Sequence, residues 1–341
     1  MRPPAMRRRI IGAALGSAGL GAAGLGIAPR AQAQAPATPS AGTGWPNRPV
    51  RIVVPFSTGT AADLVARALA VRLAEAWGQS VLIENVQGAG GNIGAATVAK
   101  AAPDGYTLLM GGINLVINPA LYNDMQYDLM RDFRPVALVG VAPLVFIAHP
   151  SLPASSIPEL VALSKRGNAP LLYGSGGNGS ITHLAFEMLK SRTGAELSHV
   201  PYKGIAQMMT DVIGNQIPLA CPALASALGA IQSGRVKALA VTTERRSSLL
   251  PAVPSVVEAG VADFNVSAWN GVLAPARTPD AIVSRILTDV TRIAGQEEFV
   301  GGLRKQALEP DFRGPDDFRA FLSSELDKWS KLARASGARM D

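Results

Sequence analysis

Short apolar runs alternate along this chain with segments whose apolar residues recur every three or four positions. The run Val50 to Phe56 (VRIVVPF) reads as a buried strand, and the turn Ser57-Thr58-Gly59-Thr60 follows it. Ala61 to Trp77 then sets Leu64, Val65, Ala68, Leu69, Leu73 and Ala76 on one helical face, and Gly78 is its stop signal. Val81 to Glu84 predicts a second strand. Gly88 to Gly94 leads into a helix through Ala101, Asp104-Gly105 is a turn, and Tyr106 to Met110 is a third strand. The order β-α-β-α-β predicts a parallel sheet with helices on both faces.

The apolar stretch Val136 to His149 suits a strand running from one lobe into the next. A second alternating set follows it. Helices are predicted over Ile157–Lys165, Ser180–Arg192, Ile205–Ile213 and Leu224–Ser233, and strands over Leu171–Tyr173, Leu197–Val200, Leu219–Cys221 and Lys237–Val241. Trp269 to Ala274 is placed to carry the chain back, and helices over Asp280–Gln296 and Pro315–Ala335 close the structure. The expected fold is α/β, with two doubly wound lobes, a hinge and an interlobe cleft. Residues 45–144 and 269–341 form lobe one, and residues 145–268 form lobe two. Ligands of such sheets sit at the carboxyl ends of strands, where strand–loop–helix turns point.

Composition changes the picture chiefly at the N-terminus. Arg2, Arg7, Arg8 and Arg9 precede a Gly- and Ala-rich apolar segment, Ile10 to Ile27, and Ala31-Gln32-Ala33 forms a cleavage site. Residues 1–33 therefore read as a secretory signal peptide, with Sec and twin-arginine export both open. Residues 34–44 read as a disordered lead-in. The formal charge of +7 falls to +2 once the five arginines of residues 1–33 are removed, and those residues hold no Asp or Glu. The basic balance thus belongs to the export signal and gives no argument for nucleic acid. Cys221 is the only cysteine, so no intrachain disulfide is expected.

Two turns carry candidate chemistry. Gly174-Ser175-Gly176-Gly177-Asn178-Gly179-Ser180 places four glycines in six positions between an apolar strand and a helix. The first N–H groups of a helix lack intrahelical partners and carry partial positive charge, so this turn is a candidate anion cradle. His183, in the first helical turn and off the apolar stripe, is a ligand contact, a base, or a residue bonded to the loop. The other turn, Phe56 to Asp63, offers the N–H groups of Gly59 to Ala62 and the hydroxyls of Ser57 and Thr58. Thr60 and Asp63 also have capping-box spacing, and Asp63 and Arg67 the spacing of a helix ion pair. Tyr202 and Lys203 either cover a ligand and supply a positive charge to it, or form an ordinary strand end with a solvated lysine. Trp269 either lines the cleft or packs the hinge.

The sequence offers little for catalysis. The mature chain has no G-x-S-x-G elbow and no phosphate-binding G-x-x-x-x-G-K-[ST] loop. Ile93 breaks the dinucleotide pattern in Gly88 to Gly94, leaving a tight turn with close helix packing as the favoured reading. His149, His183 and His199 have no zinc-ligand spacing, and no metal or cofactor is expected. The rival from another class is a secreted serine hydrolase using Ser180 and His183. A receptor serving signalling is a third reading.

The ordered motifs resemble the periplasmic substrate-binding receptors of tripartite tricarboxylate transporters, the Bug or TctC family, over nearly the whole mature chain. The markers are Pro55-Phe56-x-x-Gly59-x-x-x-Asp63-x-x-x-Arg67, Glu84-Asn85-x-x-Gly88-Ala89-Gly90-Gly91-Asn92-Ile93-Gly94 and Pro103-Asp104-Gly105-Tyr106-Thr107-Leu108-Leu109. Gly174-Ser175-x-x-x-Gly179-Ser180-x-x-His183-Leu184 and His199-Val200-Pro201-Tyr202-Lys203-Gly204 follow. The resemblance implies a periplasmic binding protein-like, type II Venus-flytrap fold and no catalysis. It implies a small carboxylate bound between the two loops and passed to membrane permease subunits by a monomeric receptor. The ligand-binding residues carried over are Phe56, Ser57, Thr58, Gly59, Thr60 and Asp63, then Ser175, Gly176, Asn178, Gly179, Ser180 and His183, with Tyr202 and Trp269. Two departures stand out. Thr60 occupies the second position of a usual Gly-Gly pair, and Val86-Gln87 replaces a usual Arg-Pro pair.

Overall fold

The computed structural model of the chain describes residues 44–338. The expected signal peptide and nearly all of the lead-in lie outside the described residues. The first strand, β1 (Val50–Val54), pairs in parallel with β2 (Val81–Asn85) and β3 (Thr107–Gly112). Its apolar run is continuous because both faces are covered. Ile52 and Val54 meet Leu69, Leu73 and Trp77 of α1 (Ala61–Trp77), while Val53 joins Ala95 and Val98 of α2 (Asn92–Ala99) on the other face. Leu69 and Leu73 are fully buried, each stabilising the lobe by roughly 1.5–3 kcal/mol. Gly78 ends α1 in the left-handed conformation (φ 61°), its N–H donating to the Ala74 carbonyl.

Beyond β3 the chain forms α3 (Asn114–Leu121), a short α4 (Leu129–Asp132) and β4 (Phe133–Pro143). The run expected as one strand over 136–149 is two. β4 ends at Pro143, and β5 (Val145–Ala148) begins in a second sheet. That sheet is built from β5, β6 (Leu171–Ser175), β7 (Leu197–Pro201), β8 (Leu219–Ala220) and β9 (Lys237–Val241), in the order β7-β6-β8-β5-β9. Its helices are α5 (Ile157–Ser164), α6 (Ile181–Thr193), α7 (Ile205–Ile213) and α8 (Leu224–Gln232).

Strand β10 (Ser267–Pro275) returns to the first sheet, followed by α9 (Asp280–Ala294), α10 (Glu297–Lys305), β11 (Glu309–Arg313) and α11 (Pro315–Ser336). The first sheet has the order β11-β4-β10-β3-β1-β2. Both sheets are mixed rather than wholly parallel. β10 runs antiparallel to β3 and β4, and β5 antiparallel to β8 and β9. These are strands that pass between the sheets, so their direction is set by the crossing rather than by a βαβ unit.

The topology fixes where the loops point. β3 and β4 both run antiparallel to β10, so β1 to β4 share one direction, and β4 leads toward the second sheet. β5 enters that sheet from the first, and β8 and β6 run against it. The carboxyl ends of β1–β3 and of β6–β8 therefore face each other across the gap between the sheets. The fold is the expected two-sheet α/β architecture. Among the described residues no helix is long and apolar enough to cross a membrane.

Candidate ligand-binding site

The loop after β1 is braced from beneath by a buried carboxylate. Asp63, only 1% exposed, accepts the Gly59 N–H at 2.9 Å and the Arg67 Nε at 2.9 Å on one oxygen. Its other oxygen accepts Asn85 Nδ2 at 2.9 Å, and the same amide nitrogen donates to the Phe56 carbonyl at 3.0 Å. Burial raises the Asp63 carboxyl, but the bonds from Arg67, Gly59 and Asn85 outweigh it and leave it below its ordinary value. Asp63 and Arg67 thus pair as their spacing predicts.

The capping box does not form. Thr60 Oγ1 donates to the Ser57 carbonyl at 2.9 Å instead of accepting from the helix, and Asp63 reaches back one residue further, to Gly59. Gly59 adopts φ +84°, which turns its N–H down toward that carboxylate. Ser57 Oγ donates to Gln87 Oε1 at 2.9 Å, and Thr58 Oγ1 to Asn85 Oδ1 at 3.4 Å. Of the N–H groups expected to be free, Gly59 and Thr60 are occupied. Those of Thr58, Ala61 and Ala62 have no acceptor among the described residues.

The loop after β6 spends its amides differently. Gly176 N–H donates to Thr182 Oγ1 at 2.9 Å, Gly177 N–H to Ser175 Oγ at 3.0 Å, and Gly179 N–H to His183 Nδ1 at 3.1 Å. Ser180 is the N-cap of α6. Its Oγ accepts the His183 N–H and donates to the Gly177 carbonyl at 2.7 Å. Most of the expected cradle is therefore closed on itself. The amides of Asn178, Ile181 and Thr182 are without an acceptor among the described residues. Neither loop carries a Lys or Arg. Two of the glycines answer packing. A side chain on Gly174 would meet Met208 at 2.8 Å, and one on Gly179 (φ +70°) would meet Leu121 of α3 at 2.7 Å. At Gly179 the second-sheet half of the molecule touches the first.

His183 is 5% exposed and lies inside rather than off the buried face of α6, because α6 is covered on more than one side. Its Nδ1 accepts a hydrogen bond, so the ring carries its proton on Nε2, 3.7 Å from Glu187 Oε1. Of the three readings of His183, the loop-bonded one is realised. Its ring stacks on His199 at 3.9 Å between centroids and 11° between planes. His199 Nε2 lies 2.5 Å from Ser175 Oγ. Tyr173 lies beside both rings, 5.2 Å from His199 and 6.4 Å from His183 between centroids, and its hydroxyl donates to Glu187 Oε1 at 2.7 Å. Lys190 Nζ donates to the same oxygen at 2.8 Å.

Burial lowers both imidazoles. His199 falls to about 4, through desolvation first and then its neighbour His183. Desolvation likewise lowers His183, against the pull of Glu187. Burial raises Glu187, but hydrogen bonds from Lys190 and Tyr173 overcome it and hold the carboxyl below its ordinary value.

The remaining expected residues divide by exposure. Phe56 is half-buried, with its ring beside Gly91 and Gly112, and Ser57, Thr58 and Asn178 are exposed. Tyr202 is half-buried. Its hydroxyl donates to Asp211 Oδ2 at 2.9 Å, and burial and then Asp211 push that phenol up to about 12. Trp269 has no exposed surface and meets Phe318 and Phe321 edge-on at 5.7 and 6.1 Å, so it takes the hinge-packing reading. Asp63 and Ser175 are likewise hidden and act on backbone. Ser175 and His199 are a serine–histidine contact, but the hydroxyl is fully buried and already accepts the Gly177 N–H. His199, Asn85 and Thr182 were not expected at the site. Their role depends on hydrogen bonds that no local pattern encodes.

Two sheets crossed by linking strands, with amide-bearing helix starts on their facing ends, define a solute-binding protein of the two-lobed kind. The family of tripartite tricarboxylate transporter receptors (TctC) matches residues 65–338, and the chain belongs to it. Among curated relatives, the protein BugT of Bordetella pertussis is 33% identical over 306 residues, covering 89% of this chain and 94% of BugT. Among solved structures, R. palustris Rpa4515 with adipate is 36% identical with a TM-score of 0.74, over 87% of this chain and all of that one. MatC from Rhodopseudomonas palustris with bound malate is 30% identical with a TM-score of 0.69, over 85% and 100%.

Proposed function

We propose that this chain is an exported receptor that holds a small dicarboxylate between its two loops and delivers it to the permease subunits of a tripartite tricarboxylate transporter. Lobe one is residues 45–144 and 269–341, and lobe two is residues 145–268, with the hinge where β4 gives way to β5 and where the chain enters β10. The carrying observation is the pair of α-helix starts on facing strand ends, each with unoccupied amides: Ala61 and Ala62 on one side, Ile181 and Thr182 on the other. A helix start offers an anion N–H donors and a favourable dipole. With no cation in either loop, the unoccupied amides, the Asn178 side chain and ordered water do the recognising. Two relatives solved with adipate and malate, both dicarboxylates, support that ligand class. The receptor acts as a monomer in the periplasm.

It binds without turning its ligand over. Ser180 and His183 form no catalytic dyad, since His183 Nδ1 is occupied by the Gly179 N–H and Ser180 Oγ by the Gly177 carbonyl. Titrating the purified protein with a dicarboxylate panel tests this. Saturable one-to-one binding is expected, with about 2.7 kcal/mol of added stability at a hundredfold excess over Kd and with the ligand recovered unchanged. No stabilisation by any member, or turnover lost in Ser180→Ala, contradicts it.

A further inference from the structure

Behind the second loop lies a polar cluster that the carboxylate reading does not use: the buried His183 and the half-buried His199 stack, each ring bonded to the loop. His183 Nδ1 takes the Gly179 N–H, and His199 Nε2 pairs with the Ser175 hydroxyl that takes the Gly177 N–H. Ser175, Gly177 and Gly179, alternate residues of the loop, thus hang on two rings 3.9 Å apart. Resting on the proposed carboxylate site, we propose that His183 and His199 are positioning residues for it: as a neutral stacked pair they hold the Gly176–Ser180 backbone in its binding form, and a proton at His183 Nδ1 releases that backbone at Gly179.

The chemistry follows from where each proton sits. His183 accepts at Nδ1, so a second proton can enter only at that atom, and an N–H there opposes the Gly179 N–H. At His199, Nε2 and the Ser175 hydroxyl share one hydrogen at 2.5 Å. Ser175 Oγ also lies 3.1 Å from the Gly177 carbonyl and accepts the Gly177 N–H. A charged His199 donates from Nε2 and turns the serine hydrogen to the Gly177 carbonyl, which leaves the Gly177 N–H bond to Ser175 Oγ in place, so its proton acts on the loop only by setting a cation face-on against His183. Two parallel imidazoliums at that separation repel, so the pair tolerates at most one charge.

The titratable groups facing the pair are Tyr173 of β6 and Glu187 and Lys190 of α6. Lys190 offsets the attraction of Glu187, whose near oxygen is already shared by Tyr173 and Lys190. α11 also packs on α6, but along the Met188–Arg192 side, where its Glu325 and Lys328 are paired with each other. The Glu187 oxygen nearest the pair is therefore already taken, and it faces His183 Nε2 rather than the Nδ1 that holds the loop.

The pair acts on the proposed site through the loop backbone, so its effect is read through loop order and through binding. In the ligand-free protein, proton NMR follows the ring signals of the chain's three histidines while amide exchange follows Gly177 and Gly179. His149, bonded to Ser151, serves as the reference. Gly179 protection is expected to fall in step with protonation of His183, by up to about tenfold per pH unit below the ordinary value of 6.5, while Gly177 and Gly59 protection holds. Retention of Gly179 protection after the rings have charged overturns the proposal.

Adipate binding is the second arm, with Kd referred to the fully ionised ligand. The expected result is an affinity that falls at least about threefold more by pH 4.5 than ligand protonation explains. His183→Asn keeps an acceptor near the Nδ1 position and takes no proton. It should bind at least about threefold tighter than His183→Phe and lose the extra pH dependence. An identical profile in wild type and His183→Asn overturns the proposal. Failure of adipate and malate to bind at pH 7.5, with loop protection following the rings, counts against the carboxylate reading alone.

Discussion

The two loops solve one problem with different acceptors. On the proposed reading, each spends some backbone N–H groups on holding its own shape and leaves others for a ligand. The loop after β1 spends Gly59 on a buried carboxylate, whose charge Arg67 balances and whose second oxygen Asn85 satisfies. The loop after β6 spends Gly176, Gly177 and Gly179 on a threonine, a serine and a neutral histidine. A charged acceptor makes the stronger bond, roughly twice a neutral one, but needs its own counter-charge beneath the site. Neutral acceptors need none and put no negative charge beside a bound anion. The first loop should therefore be the more rigid half and the second the more easily perturbed.

Removing the charged acceptor is the strongest way to break this contrast. Asp63→Ala leaves Gly59 N–H and Asn85 Nδ2 without their acceptor, and a loss of about 3 kcal/mol is expected in urea unfolding. A loss under about 1 kcal/mol would mean that the first loop does not depend on this carboxylate. Acidification separates the halves by sign and window. Asp63 titrates below its unfolded value, so its contribution stays in place at mildly acid pH and is lost only as pH falls through its lowered value. The imidazoles also titrate low in the fold, but here the unfolded chain binds protons first. Stability is then expected to decline from about pH 6.5 toward 4, by at most about 1.4 kcal/mol per pH unit per ring. A stability profile flat over that window contradicts the assignment.

A side chain at Gly179 probes where the halves touch. Gly179→Ala meets both a left-handed backbone and Leu121, and a cost of about 1–2 kcal/mol is expected. Leu121→Ala on top of it should recover part of that cost, a coupling that a double-mutant cycle in urea measures. Full additivity would place the whole effect in the backbone. The smallest effect is expected at Thr60, whose hydroxyl braces the Ser57 carbonyl instead of facing outward. Thr60→Gly should cost only a few tenths of a kcal/mol and change adipate affinity by less than about threefold in calorimetry. A larger change would return Thr60 to the ligand.

Both loops were legible in the sequence because glycines cluster where an apolar strand gives way to a helical stripe. The division of their amides was not. Gly59 depends on Asn85 twenty-six residues away through Asp63, and Ser175 depends on His199, a residue at the end of another strand. The turn at Gly94 shows a local reading that holds. A side chain there would meet the Val86 carbonyl at 2.6 Å and Pro55 at 2.9 Å, so glycine serves the close helix packing expected of it. The elements left unread have weak or mixed patterns. α3 (NLVINPAL) is apolar around most of its circumference and contains Pro119. β11 (EPDFR) is a polar edge strand with a proline, which no alternation announces. The apolar run over 136–149 hides the break at Leu144, since both pieces are buried in their own sheets.

The claim that two facing helix starts hold a carboxylate ligand is tested most directly by a crystal structure of the protein with adipate. The expected result is one carboxylate within hydrogen-bond distance of the Ala61 and Ala62 amides and the other end of the ligand against Ile181 and Thr182. Adipate seated away from both helix starts, or held by side-chain cations elsewhere, would contradict it.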